Sequence, residues 1–177
     1  MQEKHYELKT IVASVFREKD HKLKKRLIYD NAVFGGLSNK WIIVAFIILP
    51  FAMYAAIFNP TVFKELGIAQ AIVFYIILLV VAMQIVAIGS YFNNRSVVKT
   101  ATGSWEKYFP TIDFKMIISS GVTPYVDFKK HYESALKEGL EGDALKKRLD
   151  DAFEQMEQEN SILVKSIKRD KMKREGK

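Results

Sequence analysis

Two long apolar segments without charge dominate the middle of the chain. Residues 41–63 and residues 66–94 contain no Asp, Glu, Lys or Arg. Within them, residues 41–58 and 68–92 are almost entirely apolar, and about 18 such residues are enough for one helix to cross a bilayer. The pattern therefore predicts two transmembrane helices, one over each of these inner ranges.

The charged residues lie on the flanks, and their balance predicts an orientation. Residues 1–40 carry nine Lys and Arg and residues 93–177 carry seventeen, whereas the connecting residues 59–67 carry one, Lys64. Lys and Arg next to membrane helices favour the cytoplasmic side. The sequence thus predicts a transmembrane hairpin with a short external loop over residues 59–67 and both termini in the cytoplasm.

Aromatic and basic residues at the predicted cytoplasmic boundary have the types that anchor membrane helices. Aromatic rings favour the interface, while Lys and Arg keep their charge among the lipid headgroups. The predicted interface anchors are Lys40, Trp41, Tyr91, Phe92 and Arg95.

Polar side chains inside the predicted spans decide whether a transport path is plausible. Neither span contains Asp, Glu, Lys, Arg or His, the residues that mark proton and ion pathways. Gln70 and Gln84 lie near one face of the second helix, where they are predicted to make hydrogen bonds to the first helix. A polar pathway lined by these two side chains is the alternative interpretation.

The arm before the membrane, residues 1–40, has a helical pattern. Between residues 3 and 29, apolar side chains recur with the i, i+3, i+4, i+7 spacing of one helix face, at Leu8, Ile11, Val12, Val15, Phe16, Leu23 and Leu27. A basic cluster accompanies them at Lys22, Lys24, Lys25 and Arg26. These features predict an amphipathic helix on the anionic inner leaflet, with the basic cluster contacting lipid headgroups. Packing of this helix on the protein's own cytoplasmic region or on a neighbour is the alternative.

The region after the membrane, residues 93–177, is predicted to be a helical cytoplasmic region. It begins with a linker over residues 93–112, followed by a helix over about 124–137 and a long helix over about 144–174 with Asp143 as its N-cap. Alternating spacings of four and three predict a coiled-coil-like seam at Leu145, Leu149, Ala152 and Met156. A helical hairpin with the preceding helix explains these positions equally well.

A short apolar stretch ending in Gly121, Val122 and Pro124 opens this helical region. With the helices that follow, residues 110–165 resemble the cytoplasmic module of the type II secretion and type IV pilus inner-membrane platform family. The resemblance implies a platform that couples a cytoplasmic ATPase to a secretion or pilus machine without catalysis of its own. That family normally has two such modules and a third membrane helix, whereas this chain has one module and two helices.

The remaining residues favour a protein without catalytic chemistry. The chain has no Cys, which excludes disulfides and thiolate metal sites. His5, His21 and His131 lack metal-ligand spacing, and no glycine-rich phosphate loop occurs. No catalytic residue, cofactor or metal is predicted. The net charge of +7 is explained by membrane orientation, so no nucleic-acid partner is expected.

The sequence as a whole predicts an all-α protein of the bacterial inner membrane, with a transmembrane hairpin, an N-terminal amphipathic helix and a C-terminal cytoplasmic helical hairpin. The predicted function is that of a non-enzymatic structural or coupling subunit in an envelope machine for secretion, conjugation or pilus assembly. Expected partners are anionic lipids, other subunits or further copies of the chain, and a cytoplasmic ATPase. The alternatives are a holin-like or toxin-like membrane-permeabilising protein and a peripheral lipid-surface sensor.

Overall fold

The structure is a computed structural model that describes residues 5–176, apart from the side chains at positions 174 and 175. It is mostly helical, at 74%. In chain order the elements are α1 (Leu8–Val15), β1 (Phe16–Lys19), β2 (Lys22–Lys25), a 3-10 turn (Ala32–Phe34), α2 (Asn39–Ile57), α3 (Pro60–Tyr108), α4 (Phe114–Ile118), α5 (Phe128–Lys137), α6 (Gly142–Glu159) and α7 (Ser161–Glu175). The two strands correct the predicted all-α class.

The elements form two compact units. The first, here called the helical domain, combines residues 5–27 with residues 98–176. The second, here called the apolar unit, consists of residues 28–97. Helix α3 contributes residues to both units.

The predicted amphipathic helix over residues 3–29 is wrong, because the helix ends at Val15 and a β-hairpin follows. Strands β1 and β2 pair antiparallel, and Asp20 and His21 between them have φ angles of 53° and 56°. Two central residues with positive φ form the type I′ turn that matches the twist of paired strands. Phe16 and Leu23 fit a helical spacing, but they also lie on one face of this hairpin, and the strand pattern is the one adopted.

Trp105 stands at the centre of the helical domain. Its ring lies 4.6 Å from that of Phe109, 5.1 Å from that of Phe114 and 6.0 Å from that of Phe153. Its indole N–H donates to the carbonyl of Ile112 at 2.8 Å, which satisfies the one polar atom of the buried ring.

Apolar side chains from the arm complete this core. Of the predicted apolar face, Leu27 alone is exposed, and the other members are buried: Leu8, Ile11, Val12, Val15, Phe16 and Leu23. The face that was predicted to lie on lipid is therefore occupied by the protein's own domain, which is the alternative given above.

Helix α3 extends beyond the predicted second span at both ends. The side chain of Asn59 accepts hydrogen bonds from the backbone N–H groups of Thr61 and Val62 at 3.0 Å and so caps a helix that begins within the predicted loop over residues 59–67. A kink follows at Gly67, whose φ of 72° and ψ of 167° are not helical. At the other end, most of the predicted linker over residues 93–112 is helical, since α3 continues to Tyr108.

The apolar unit buries one narrow stripe of α3. Buried or half-buried residues recur about once per helical turn, at Ala71, Tyr75, Leu79, Ala82, Val86, Ser90, Asn93 and Val97. Near the end of α2, Tyr54 and Phe58 contact the ring of Tyr75 at centroid distances of 6.2 and 6.0 Å. Both α2 and α3 are long and apolar enough to cross a membrane, and only 6% and 11% of their apolar stretches are buried.

The last three helices pack within the helical domain. The ring of Phe128 in α5 stacks on that of Phe153 in α6 at 5.8 Å, and the predicted coiled-coil positions Leu145, Leu149, Ala152 and Met156 are buried. The predicted helix over residues 144–174 is interrupted at Asn160, whose side chain donates to the carbonyls of Pro124 and Met156 at 3.2 and 3.0 Å. Asp143 lies in the first turn of α6, and Glu141 occupies the N-cap position.

Candidate functional site

The β-hairpin presents four cations on one face. In its register, Arg17 lies opposite Lys24 and Lys19 lies opposite Lys22. Alternate residues of a strand point to the same side of a sheet, so these four side chains share one face, and all four residues are exposed. This group, Arg17, Lys19, Lys22 and Lys24, is called the basic face below.

The opposite face of the hairpin is fixed to the helical domain, which determines that the basic face points outward. Phe16 and Leu23 on that opposite face are buried. The backbone N–H of Leu23 donates to the carboxylate of Glu133 in α5 at 2.5 Å. The ammonium of Lys25 donates to the backbone carbonyl of Ile118. These contacts hold the hairpin in one orientation on its domain.

The charges of the basic face are not balanced by neighbouring acidic side chains. None of its four residues forms an ion pair or side-chain hydrogen bond within residues 5–176. The nearby carboxylate of Glu18 lies instead 4.0 Å from the imidazole of His21 in the turn. Like charges directly opposite on paired strands are destabilising. A bound anion would relieve this repulsion.

The predicted lipid contacts divide into two pairs. Lys22 and Lys24 belong to the basic face, whereas Lys25 and Arg26 contact their own domain. Lys25 also donates to the hydroxyl of Ser120 at 3.2 Å, and the Nε of Arg26 donates to the carbonyls at positions 13 and 16 at 3.2 and 3.3 Å. Arg17 and Lys19 were missed, because a helical period separates them from the cluster at residues 22–26. The alternation of charged and apolar residues on either side of Asp20-His21 is the signal that could have identified them.

The predicted interface anchors Lys40, Trp41, Tyr91, Phe92 and Arg95 are all exposed. The rings of Tyr91 and Phe92 contact each other at 5.6 Å. Close to them, the backbone N–H of Tyr29 donates to the side chain of Asn94 at 2.8 Å, and the side chain of Asn93 donates to the carbonyl of Tyr29 at 2.9 Å. Their role at a membrane boundary stays a prediction.

Gln70 and Gln84 do not lie on the stripe that α3 buries. Both are exposed, and neither side chain hydrogen-bonds another residue in the part of the chain that the structure describes. The buried positions are Ala71 and Ala82. A shift of one or two residues turns a side chain by about 100° or 200° on a helix with 3.6 residues per turn, so both glutamines lie off the buried stripe. Their hydrogen bonds to the first helix stay a prediction.

A groove of about 550 Å³ borders the helical domain between the end of α3, the start of α4 and α7. On its wall, the phenol of Tyr125 donates to the carboxylate of Glu157 at 2.7 Å, and the ammonium of Lys168 lies 3.9 Å from the same carboxylate. Burial raises the pKa of Tyr125, and the neighbouring Glu157 carboxylate raises it further. This phenol therefore stays neutral and acts as a hydrogen-bond donor that joins the chain before α5 to α6.

The described residues contain no cluster of three or more His, Cys, Asp and Glu that could hold a metal ion. In the groove, Tyr125 is 5% exposed, and its hydrogen bond to Glu157 links two segments of the domain. Among the described residues, the basic face is the feature whose charge is best suited to binding an anion.

No protein-family model matches this sequence, and no curated protein or solved structure is significantly similar to it.

Proposed function

We propose that this protein is a membrane-anchored, non-catalytic coupling subunit. In this proposal α2 and the first part of α3 cross the membrane as an antiparallel hairpin, and the helical domain stands in the cytoplasm, where it contacts other subunits. The proposal includes the bacterial inner membrane as the location.

The observation that carries this proposal is the shared core of the helical domain. Val12 and Val15, which precede the apolar helices in the chain, are buried in the same domain as Trp105 and Leu149, which follow them. A single folded core cannot be divided by a bilayer. Any membrane-crossing path between these residues must therefore return to its starting side, which supports two crossings and favours a hairpin.

The exposure of the apolar helices supports the membrane as their surroundings. Side chains such as Ile47, Phe51 and Ile76 are more than half exposed, at 57%, 73% and 54%. A contiguous apolar surface of this extent is unfavourable in water. Lipid chains or the helices of other subunits would cover this surface and remove its unfavourable contact with water.

We further propose that the assembly is a secretion, conjugation or pilus machine with a cytoplasmic ATPase. Support comes from the resemblance of residues 110–165 to the platform family and from the positive charge on both flanks. The compact helical domain argues against a holin-like lesion, because permeabilisation needs no such domain. Burial of the arm's apolar face removes the surface on which a peripheral lipid sensor would depend.

The membrane topology can be tested directly, because the chain contains no native cysteine. Single cysteines at Glu65, between the apolar helices, and at Val122, in the domain, would both be exposed. A membrane-impermeant maleimide applied to intact spheroplasts is expected to label Glu65→Cys only, and Val122→Cys should react only after permeabilisation. Equal labelling of both cysteines in intact cells would overturn the hairpin.

The coupling role needs a second experiment. Crosslinking in native membranes, followed by purification in mild detergent, is expected to yield adducts with other subunits or with further copies of the chain. A lone monomer without adducts would refute coupling. Collapse of the membrane potential on induced expression would favour the permeabilising alternative.

A further inference from the structure

We propose that the basic face of the β-hairpin, Arg17, Lys19, Lys22 and Lys24, binds the phosphates of anionic phospholipids. This inference rests on the proposed membrane anchoring, and it deepens that proposal by naming the ligand of the hairpin. The ligand-binding group would be a β-ribbon instead of the amphipathic helix expected from the sequence.

The strand geometry brings the four cations close together. Paired strands lie about 4.8 Å apart, and alternate residues on one strand are separated by about 6.8 Å. Two cations from opposite strands, such as Arg17 and Lys24, can therefore reach the same phosphate group. A phosphate accepts hydrogen bonds from Arg and Lys on several oxygens, so it can neutralise a like-charged pair that has no acidic partner among the described residues.

The basic face differs from the rest of the domain because its like charges lie directly opposite one another on paired strands, whereas several other lysines pair with carboxylates. Lys9 pairs with Glu141, Lys129 with Glu133, Lys130 with Asp127 and Lys146 with Asp150. The four cations of the basic face have no such pair within residues 5–176. Their hairpin still adopts a turn in which Asp20 and His21 both have positive φ, a conformation that non-glycine residues rarely take. The β-hairpin therefore forms although its like charges repel one another and its turn residues have unfavourable φ angles.

The chain itself tethers this face to the predicted membrane boundary. Three residues separate Lys25 at the end of β2 from Tyr29, so the two lie at most about 14 Å apart along an extended chain. Tyr29 is hydrogen-bonded to Asn93 and Asn94, which lie between the predicted interface anchors Phe92 and Arg95 on α3. A short tether of this kind gives a high effective concentration of lipid headgroups.

The composition of the hairpin favours lipid over an acidic protein as the occupant. Protein interfaces depend on buried apolar or aromatic residues at their centre. The apolar residues of the hairpin, Phe16 and Leu23, are buried in the domain, and its exposed surface is polar or charged throughout. Such a surface is suited to headgroups, for which charge alone supplies the attraction.

The test uses the full-length protein in a neutral detergent, with backbone amide NMR shifts as the readout. The probes are short-chain phosphatidylglycerol, short-chain phosphatidylcholine and inorganic phosphate, each titrated separately. We expect phosphatidylglycerol to shift the amides of residues 16–25 saturably and phosphatidylcholine to leave them unchanged. Because each nearby Lys or Arg contributes about a five-fold gain in affinity for an anionic surface, the variant R17Q/K19Q/K22Q/K24Q should bind roughly 600-fold more weakly.

A matched variant controls for the change in net charge. Lys137→Gln, Lys147→Gln, Lys165→Gln and Lys173→Gln together remove four exposed cations elsewhere in the domain, and this variant should bind like the wild type. If the four-residue hairpin variant loses the amide pattern of the folded domain, the double variant K22Q/K24Q replaces it, with an expected loss of about 25-fold.

Several results would overturn the proposal. Phosphatidylglycerol binding that survives in the hairpin variant, or that both quadruple variants lose equally, would refute the site. Equal binding of inorganic phosphate would assign the face to free anions, and loss of a protein crosslink without any lipid response would assign it to an acidic partner. Failure of the topology experiment would refute anchoring separately, because the lipid titration in detergent does not depend on it.

Discussion

The helical domain buries its large apolar side chains, whereas the apolar unit exposes most of its own. In the helical domain the largest apolar residues are hidden, with Trp105 and Phe114 completely buried. In the apolar unit most of them face outward, and Phe51 and Ile76 are 73% and 54% exposed. The domain obtains its hydrophobic stabilisation from its own core. The apolar unit must obtain it from surroundings that the chain does not supply.

The two units also differ in how their helices meet. The core of the helical domain combines α1, the hairpin, the end of α3, and α4 to α6, so that many residues far apart in sequence depend on each other. The apolar unit buries about one residue per turn of α3, many of them small or polar, such as Ala71, Ala82 and Ser90. Small residues permit close helix contact in membranes, where no hydrophobic force holds helices together.

Removal of the central ring should produce the largest effect and confine it to the helical domain. We expect Trp105→Ala to destabilise that domain by about 3–5 kcal/mol, because it leaves a large cavity among packed rings. The control Phe51→Ala removes an exposed ring of the apolar unit and should change stability by less than about 0.5 kcal/mol. Chemical denaturation in detergent, followed by limited proteolysis, measures both. Equal losses in the two variants would contradict the contrast between the units.

A charge placed on the exposed surface of α3 should show whether that surface faces lipid, while the surface of the helical domain faces water. Val80→Arg lies near the middle of the predicted second span, where insertion of Arg costs about 2.5–3.5 kcal/mol. The control Val122→Arg places the same charge at an 87% exposed position of the helical domain and should be neutral. Alkaline carbonate extraction of membranes measures insertion. Unchanged retention of Val80→Arg in the membrane would refute lipid exposure of that face.

Alkaline pH should destabilise the helical domain. Burial raises the pKa of Tyr125 and Tyr132 above the ordinary value of 10.0. Groups with a raised folded pKa contribute stability that is fully present below pH 10 and is lost as pH rises through the folded value. Ultraviolet titration should find these phenols ionising only on unfolding, and Tyr125→Phe should reduce the effect. Ionisation of all eight tyrosines near pH 10 in the folded protein would be inconsistent with this core.

Glycine in the turn of the hairpin should make the helical domain more stable. His21 has a φ of 56°, a left-handed conformation that costs an ordinary residue about 1–2 kcal/mol. We expect His21→Gly to raise domain stability by about 0.5–1 kcal/mol, after the greater flexibility of glycine in the unfolded chain is included. Asp151→Gly, at an exposed position inside α6, should lower stability by about 1 kcal/mol. Thermal melts in which both variants are less stable than the wild type would contradict the positive φ of His21.

Reversal of one hairpin charge should give the smallest change in stability. Lys24→Glu replaces a like-charged pair with Arg17 by an attractive one, which should stabilise the domain by about 0.2–1 kcal/mol. The same substitution should weaken phosphatidylglycerol binding. Lys147→Glu, an exposed change elsewhere, is the control for both measurements. A loss of stability in Lys24→Glu would mean that the two cations are not opposed as the register requires.

The sequence was sufficient for the apolar helices and for much of the buried face of α6. The range 41–58 lies almost within α2, and residues 68–92 lie within α3, because an uncharged run of this length leaves few other structures. The spacing of Leu145, Leu149 and Met156 correctly identified buried positions. It could not decide whether a partner helix or the same domain covers them, since both require the same period.

The β-hairpin and the extension of α3 were not predictable by the same reasoning. The hairpin turn is Asp20-His21 instead of the Asn-Gly or Asp-Gly that signals a type I′ turn, so the apolar residues on both sides were assigned to one helix. Gly103 and the polar residues around it suggested a linker. Val97, Ala101 and Trp105 nevertheless recur every four residues and are buried, and this packing outweighs the local preference.

The shared core of the helical domain imposes an order on its synthesis. Leu23 emerges from the ribosome 82 residues before Trp105 (105 − 23 = 82), with both apolar helices in between. At about 5–20 residues per second, several seconds pass before Trp105, which belongs to the same domain, is made. The apolar face of the arm lacks this part of its core throughout that interval. Maturation of the domain therefore follows translation of both apolar helices.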